Sequence, residues 1–144
     1  MAQIFAALHH VARHPFRVFV VVDARTVRKI ALSLPEVADR SEGKRLSFEV
    51  RGKGIAWGYF ARLEPKKPRV LIPGVLAIRC TLEDKDFLID TAPDKFFGDD
   101  HYKGFPAVLV RLEKIGAREL KGLLLAGWRC QAPAKLVKAF ETRV

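Results

Sequence analysis

The string His101-Tyr102-Lys103-Gly104-Phe105-Pro106 concentrates more chemistry than any other stretch of this chain. An imidazole can give or take a proton near neutral pH, and a phenol beside an ammonium could serve as a relay. Asp99 and Asp100 precede it and could orient His101, as a general base requires. The string also fits a simpler role, in which His101 and Tyr102 pin the loop between a helix and a strand. We therefore take His101, Tyr102 and Lys103 as a candidate binding surface, assign no catalytic residue and expect no enzyme.

The other candidates are weaker. His10 and His14 have the i, i+4 spacing that suits a divalent metal on a helix face, with His9 beside them, but no HExxH pattern surrounds them. Asp94, Asp99 and Asp100 lack the spacing of a calcium loop and its closing Glu. Gly52 and Gly54 are not set between a strand and a helix, so they do not form a phosphate-cradling loop. Ser33, Ser41 and Ser47, the only serines, sit in no GxSxG elbow. Cys80 and Cys130 stand outside any CxxC pair and read as reduced, largely buried thiols. The expectation is no metal and no cofactor.

Charge is the larger signal. The chain of 144 residues carries 26 Lys and Arg against 16 Asp and Glu, a net charge of +10. Residues 1–78 contribute +8, residues 79–100 contribute −4 and residues 101–144 contribute +6. The acidic run is Glu83 to Asp100. Arg51, Lys53 and Arg62 fall near the turn of a hairpin pattern, with Lys66, Lys67 and Arg69 in the connection that follows. Such a basic hairpin could lie against double-stranded DNA, neutralising phosphates without reading bases. These six residues are the candidate nucleic-acid contacts, helped by basic C-terminal helices. The alternative is a protein- or peptide-binding adaptor that uses an open sheet face or the acidic run.

These residues must be positioned by a single core. Val27, Ile30, Ala31 and Leu34 recur at helical spacing after Asp23, a ready N-cap, and Pro35 ends the helix. Glu36 to Lys44 is polar and reads as a loop. Leu46, Phe48 and Val50 alternate with polar residues, Gly52-Lys53-Gly54 turns the chain, and Ile55, Trp57, Tyr59, Ala61 and Leu63 share the core face of a second strand. Val70 to Cys80 is a third apolar run, interrupted at Pro73-Gly74 as at a bulge, an edge or a turn. Thr81 caps a helix that buries Phe87 and Leu88, Ala107 to Leu112 is a strand, and Leu120, Leu123, Leu124 and Trp128 line a helix over 117–129. Pro133 opens a last helix carrying Leu136, Val137 and Phe140. The fold class is α+β, a two-layer sandwich on a mostly antiparallel sheet.

The strings Val27 to Val37, Phe48 to Lys53, Phe96-Phe97, His101 to Leu112 and Ala126-Gly127-Trp128 together resemble the MmcQ/YjbR family of small bacterial proteins. The resemblance implies a helix, three strands, a helix, two strands and a helix, similar to secretion chaperones. It also implies DNA binding, by analogy with a double-winged transcription-factor domain, and brings no catalytic residues. It covers 23–144 as one domain and leaves 1–22 as an extension. That extension holds the run Val18 to Val22, a short strand or a lead into the first helix. No run approaches the roughly 18 apolar residues of a membrane span, so no membrane partner is expected and the cytoplasm is the expected location.

Overall fold

Period-two patterning becomes a six-stranded antiparallel sheet in the computed structural model, which describes residues 22–142. In chain order the elements are α1 (Ala24–Leu32), β1 (Val37–Asp39), β2 (Ser47–Val50), β3 (Lys53–Ala61) and β4 (Val70–Arg79). They continue as α2 (Leu82–Thr91), β5 (Phe96–Phe97), β6 (Ala107–Arg111), α3 (Ala117–Gln131) and α4 (Ala134–Thr142). Short 3-10 turns occupy Asp100–Tyr102 and Leu112–Lys114. Across the sheet the order is β1-β2-β3-β4-β6-β5, with every pair antiparallel. The class is α+β, as the patterning requires. His9, His10 and His14 and the run from Val18 to Val21 lie outside the described residues.

Register explains which side chains meet. The row Phe48, Ala56, Ile78 and Val108 runs across four strands and lies in the main core. There it meets Val27 and Ala31 of α1, Leu88 of α2, and Leu120, Leu124 and Trp128 of α3. Leu136, Val137 and Phe140 of α4 pack at its margin, the Phe140 ring edge-on to Trp128 at 5.2 Å. All four helices thus serve one face of the sheet. The adjacent row, Ser47, Trp57, Ala77, Leu109 and Phe97, points to the other face. No described α-helix covers that face; the 3-10 turn at Asp100–Tyr102 packs on part of it.

Two bulges govern this division. At the first, Phe48 pairs with Ala56 while Glu49 pairs with Gly54, so Ile55 is an extra residue in β3. Ile55 and Ala56 both join the helix-side core, and the face Ile55 was expected to share with Trp57 and Tyr59 is split. Trp57 and Tyr59 belong to the open face. Strict alternation put them under the helices, and the inserted residue reverses that parity. At the second bulge Gly58 pairs with Leu76 but Phe60 with Leu71, which leaves Ile72 to Val75 to arch out around Pro73-Gly74. Gly74 takes a φ of +76° there.

Several local expectations change. The hairpin turn is Arg51-Gly52, because Val50 pairs directly with Lys53; both turn residues have positive φ, as a two-residue turn between twisted strands demands. The polar stretch after Pro35 contains the short strand β1, too brief to show a period, held to α1 by an Arg28–Asp39 ion pair of 2.8 Å. Phe87 is exposed; α2 instead buries Leu88 and Lys85. Cys80 is buried, its thiol pushed up to about 12 by burial, but Cys130 is exposed. The caps behave as expected, with Asp23 accepting from the Thr26 amide and Thr81 from the Asp84 amide.

The junction of α3 with the sheet is close. A Cβ on Gly127 would stand 2.8 Å from the Arg79 carbonyl oxygen and 3.3 Å from Ile55. The helix carries an interior glycine here because no side chain fits. Next to it the Trp128 indole N–H donates to the Pro35 carbonyl at 2.9 Å, joining α3 to the end of α1.

Candidate functional site

Chemistry gathers on the open face. Tyr102, in the 3-10 turn after β5, folds back over the sheet and packs with Tyr59, Ala77, Ala107 and Leu109. Its hydroxyl accepts from the Trp57 indole N–H at 3.0 Å. The Tyr59 hydroxyl donates to Asp99 Oδ2 at 2.5 Å, and Asp99 Oδ1 accepts from the Tyr102 amide at 2.9 Å. Asp99 therefore caps the turn and locks it to β3, rather than orienting His101. Burial, followed by the Asp99 hydrogen bond, pushes the Tyr59 phenol up to about 12. Burial also raises Tyr102, so neither phenol gives up its proton near neutral pH.

From below, Lys85 of α2 fixes the same segment. Its ammonium, 6 % exposed as a residue, donates to the carbonyls of Tyr102 at 2.6 Å and Phe105 at 2.9 Å. A buried lysine is tolerable when its donors are satisfied in this way. Periodicity could not reveal it, because a lysine three positions before Leu88 reads as part of a solvated face. Phe105 then lies edge-on to Trp57 at 6.2 Å and to Tyr102 at 5.9 Å, with 42 % of its surface exposed. The Arg79 guanidinium stands over its ring at 5.7 Å.

Beside these rings lies a pocket of about 360 Å³, lined by Trp57, Tyr102 and His101 together with Arg45, Ser47 and Arg69. Its size falls near the lower end for small-molecule sites, about 300 to 1,000 Å³. Gly58 and Phe60 complete the lining. Gly58 lets its neighbours close in, since a Cβ there would meet Leu71 at 2.9 Å and the Arg45 stem at 3.4 Å. Arg45 leads into β2 and Arg69 into β4, the two neighbours of β3, so the two guanidinium groups flank the same end of the central hairpin. Arg69 reaches the Phe60 carbonyl at 3.4 Å; the Arg45 side chain has no hydrogen bond or ion pair among the described residues. His101 stacks edge-on to Tyr102 at 5.5 Å.

The six basic residues singled out in the sequence do not form one group. Arg51 and Lys53 lie at the β2–β3 turn, and Arg51 is held by Glu36 in a two-pronged pair at 2.6 and 3.2 Å. Arg62, Lys66, Lys67 and Arg69 lie at the opposite end of β3, because the strand between them runs nine residues. Placing Arg62 near the Arg51 turn is therefore incorrect. Arg62 donates to the Lys67 carbonyl at 2.5 Å, and Lys67 pairs with Glu64 at 3.5 Å. The C-terminal helices stand on the helix side of the sheet and do not join these residues on one face. Of the second group, His101 and Tyr102 line the pocket and Lys103 follows them in an exposed position. Arg45 was missed. It follows a turn at Gly43 and shows no pattern of its own; only its bridge to Glu42 and the register of β2 bring it to the pocket.

Two arginines and a histidine thus line one pocket with Trp57, Phe60 and Tyr102. No grouping of His, Cys, Asp and Glu among the described residues could hold a metal ion. No described helix is long and apolar enough to cross a membrane. No family model matches the chain, and no solved structure matches it. Uncharacterized protein Mb2600 of Mycobacterium bovis is 42 % identical over 67 residues, 46 % of this chain and 52 % of that protein. Uncharacterized proteins MT2646 and Rv2570 of Mycobacterium tuberculosis match to the same extent. The chain thus spans about half the length of these bacterial relatives.

Proposed function

We propose that this protein is a small DNA-binding module that acts in the cytoplasm and performs no reaction of its own. The observation that carries the reading is the meeting of Arg45 and Arg69 in one pocket with His101, at the end of the sheet where the β3–β4 loop adds Arg62, Lys66 and Lys67. Around that end, residues 42–45 and 62–69 hold six Lys and Arg against Glu42 and Glu64, with Asp99 and Asp100 beside His101. Such an excess attracts phosphates and releases their counterions, whatever the base sequence. The likeness of the sequence strings to the MmcQ/YjbR family supports the same reading, although four strands and not three follow the first helix and two helices and not one close the described chain. The contact surface in this reading is the Arg45–Arg69 end and not the Arg51 turn, where Glu36 already neutralises the arginine.

The test is fluorescence anisotropy with fluorescein-labelled DNA at about 50 and 200 mM salt, a span over which phosphate-driven binding weakens steeply. Arg45→Ala or Arg69→Ala should each lower affinity about tenfold at the lower salt, given charge-assisted contacts of about 1.5 kcal/mol or more. Arg51→Ala should change little. Absence of salt-dependent binding at micromolar protein would overturn the proposal. It would favour the adaptor reading, for which Leu63 and Val70, large apolar residues exposed by 70 and 43 % beside the β3–β4 loop, are the observation to pursue.

A further inference from the structure

We infer that the pocket receives an unpaired nucleotide, so that the preferred form of nucleic acid is single-stranded. The inference rests on the DNA-binding reading above and adds to it the state of the strand. A surface that meets only a duplex backbone needs cations on an open face, because the bases are stacked and paired inside. Here the cations border a recess, and one wall of that recess is aromatic. Trp57, Phe60 and Tyr102 supply it, and the exposed Phe105 ring, outside the lining, packs edge-on against Trp57 at 6.2 Å and Tyr102 at 5.9 Å. Every base presents a flat π-face to such a wall, so the platform accepts a strand without regard to sequence.

The wall is also held in advance. Trp57 is fixed by its indole bond to the Tyr102 hydroxyl, Tyr102 by Asp99 and Lys85, and the Phe105 backbone by the same lysine. Little side-chain freedom remains to be lost when a base arrives. Arg45 and Arg69, which lead into the two strands beside β3 and share the pocket lining, are placed to meet the phosphates on either side of an inserted nucleotide. Gly58 lets the Arg45 stem lie close against β3. A duplex offers no group that enters such a recess without unpairing.

The experiment compares a fluorescein-labelled single strand of about 12 nucleotides, within the site size of small single-strand binders, with the same strand annealed to its complement at equal salt. Intrinsic tryptophan fluorescence is read in parallel, with Trp128 as a fully buried internal reference. The single strand should bind at least tenfold more tightly than the duplex and should quench Trp57. Trp57→Leu should remove about tenfold of single-strand affinity, within the range of one base–aromatic stack, and lower duplex affinity by less, so that the preference shrinks. Trp57→Phe keeps a stacking ring without the indole N–H and should retain most of the preference; it decides the matter if the leucine variant does not fold. Salt-dependent binding that is equal or tighter for duplex overturns this inference and leaves the DNA-binding reading intact. Binding of neither form overturns both. Quenching by adenosine 5′-monophosphate but not by the strand would assign the pocket to a free nucleotide and also overturn the inference.

Discussion

Tyr59 and Asp99 form the tightest link between the open sheet face and the turn that bears His101. The bond holds only while the phenol keeps its proton, and the folded protein keeps that proton up to about pH 12 against an ordinary value of 10.0. A group whose folded pKa is raised stabilises the fold fully below its unfolded value and loses that contribution as pH climbs through the folded one. Stability should therefore fall as pH rises from 10.0 towards 12. Tyr59→Phe should flatten that fall and cost about 1 kcal/mol near neutral pH, where Asp99 loses a donor. Urea unfolding of both proteins, at neutral pH and at two values inside that alkaline window, checks the sign; an unchanged slope would mean the phenol does not hold the turn. His101 takes no part in this link, so substituting it should change ligand affinity more than stability.

Between elements, two junctions carry more than their sequence suggests. Lys85 joins α2 to the 3-10 turn through two carbonyls, and Lys85→Met removes both hydrogen bonds while leaving the oxygens in place. The expected loss is about 2 to 3 kcal/mol, with faster amide exchange in residues 99–106 than elsewhere. Exchange rates that rise uniformly would argue against a local anchor. Gly127 joins α3 to the sheet. An alanine there would gain about 1 kcal/mol of helix propensity but meet a backbone oxygen at 2.8 Å, which cannot swing aside. Overpacking of this kind costs about 1–3 kcal/mol or more, so Gly127→Ala should be destabilising overall by about 1 kcal/mol in chemical denaturation. A stabilised variant would show that the helix can lift from the sheet without penalty.

For the whole molecule the distribution of charge matters more than its total of +10. Basic residues occur on the helices, at the Arg51 turn and at the Arg45–Arg69 end, but several are already committed: Arg28 to Asp39, Arg40 to Glu49, Arg51 to Glu36 and Arg129 to Glu141. Exposed pairs like these add little stability, yet they lower the positive potential where they stand. At the pocket end Lys67 is likewise paired with Glu64, while Arg45 and Arg69 stand in no ion pair among the described residues. In a plot of log affinity against log salt for a single strand, the Arg45→Ala/Arg69→Ala double variant should show a slope smaller by about 1.4, or about 0.7 for each phosphate left without its arginine. Arg28→Ala should leave the slope unchanged. A slope that falls equally for both would indicate diffuse attraction by net charge.

Local patterning was enough to read the helices with clear apolar stripes, the antiparallel hairpin and the α+β class. Val27, Ala31, Leu120, Leu124 and Trp128 repeat at helical spacing and are buried as that spacing demands. Caps at Asp23 and Thr81 were legible for the same reason, since they depend on neighbours within one turn. The face that Trp57 occupies was not legible, because one inserted residue at Ile55 inverts the parity of all that follows and leaves no compositional trace. Nor could spacing show that Arg45 and Arg69 meet at one pocket while Arg51 and Arg62 separate. Strand pairing fixes such distances, and pairing is a property of several segments at once.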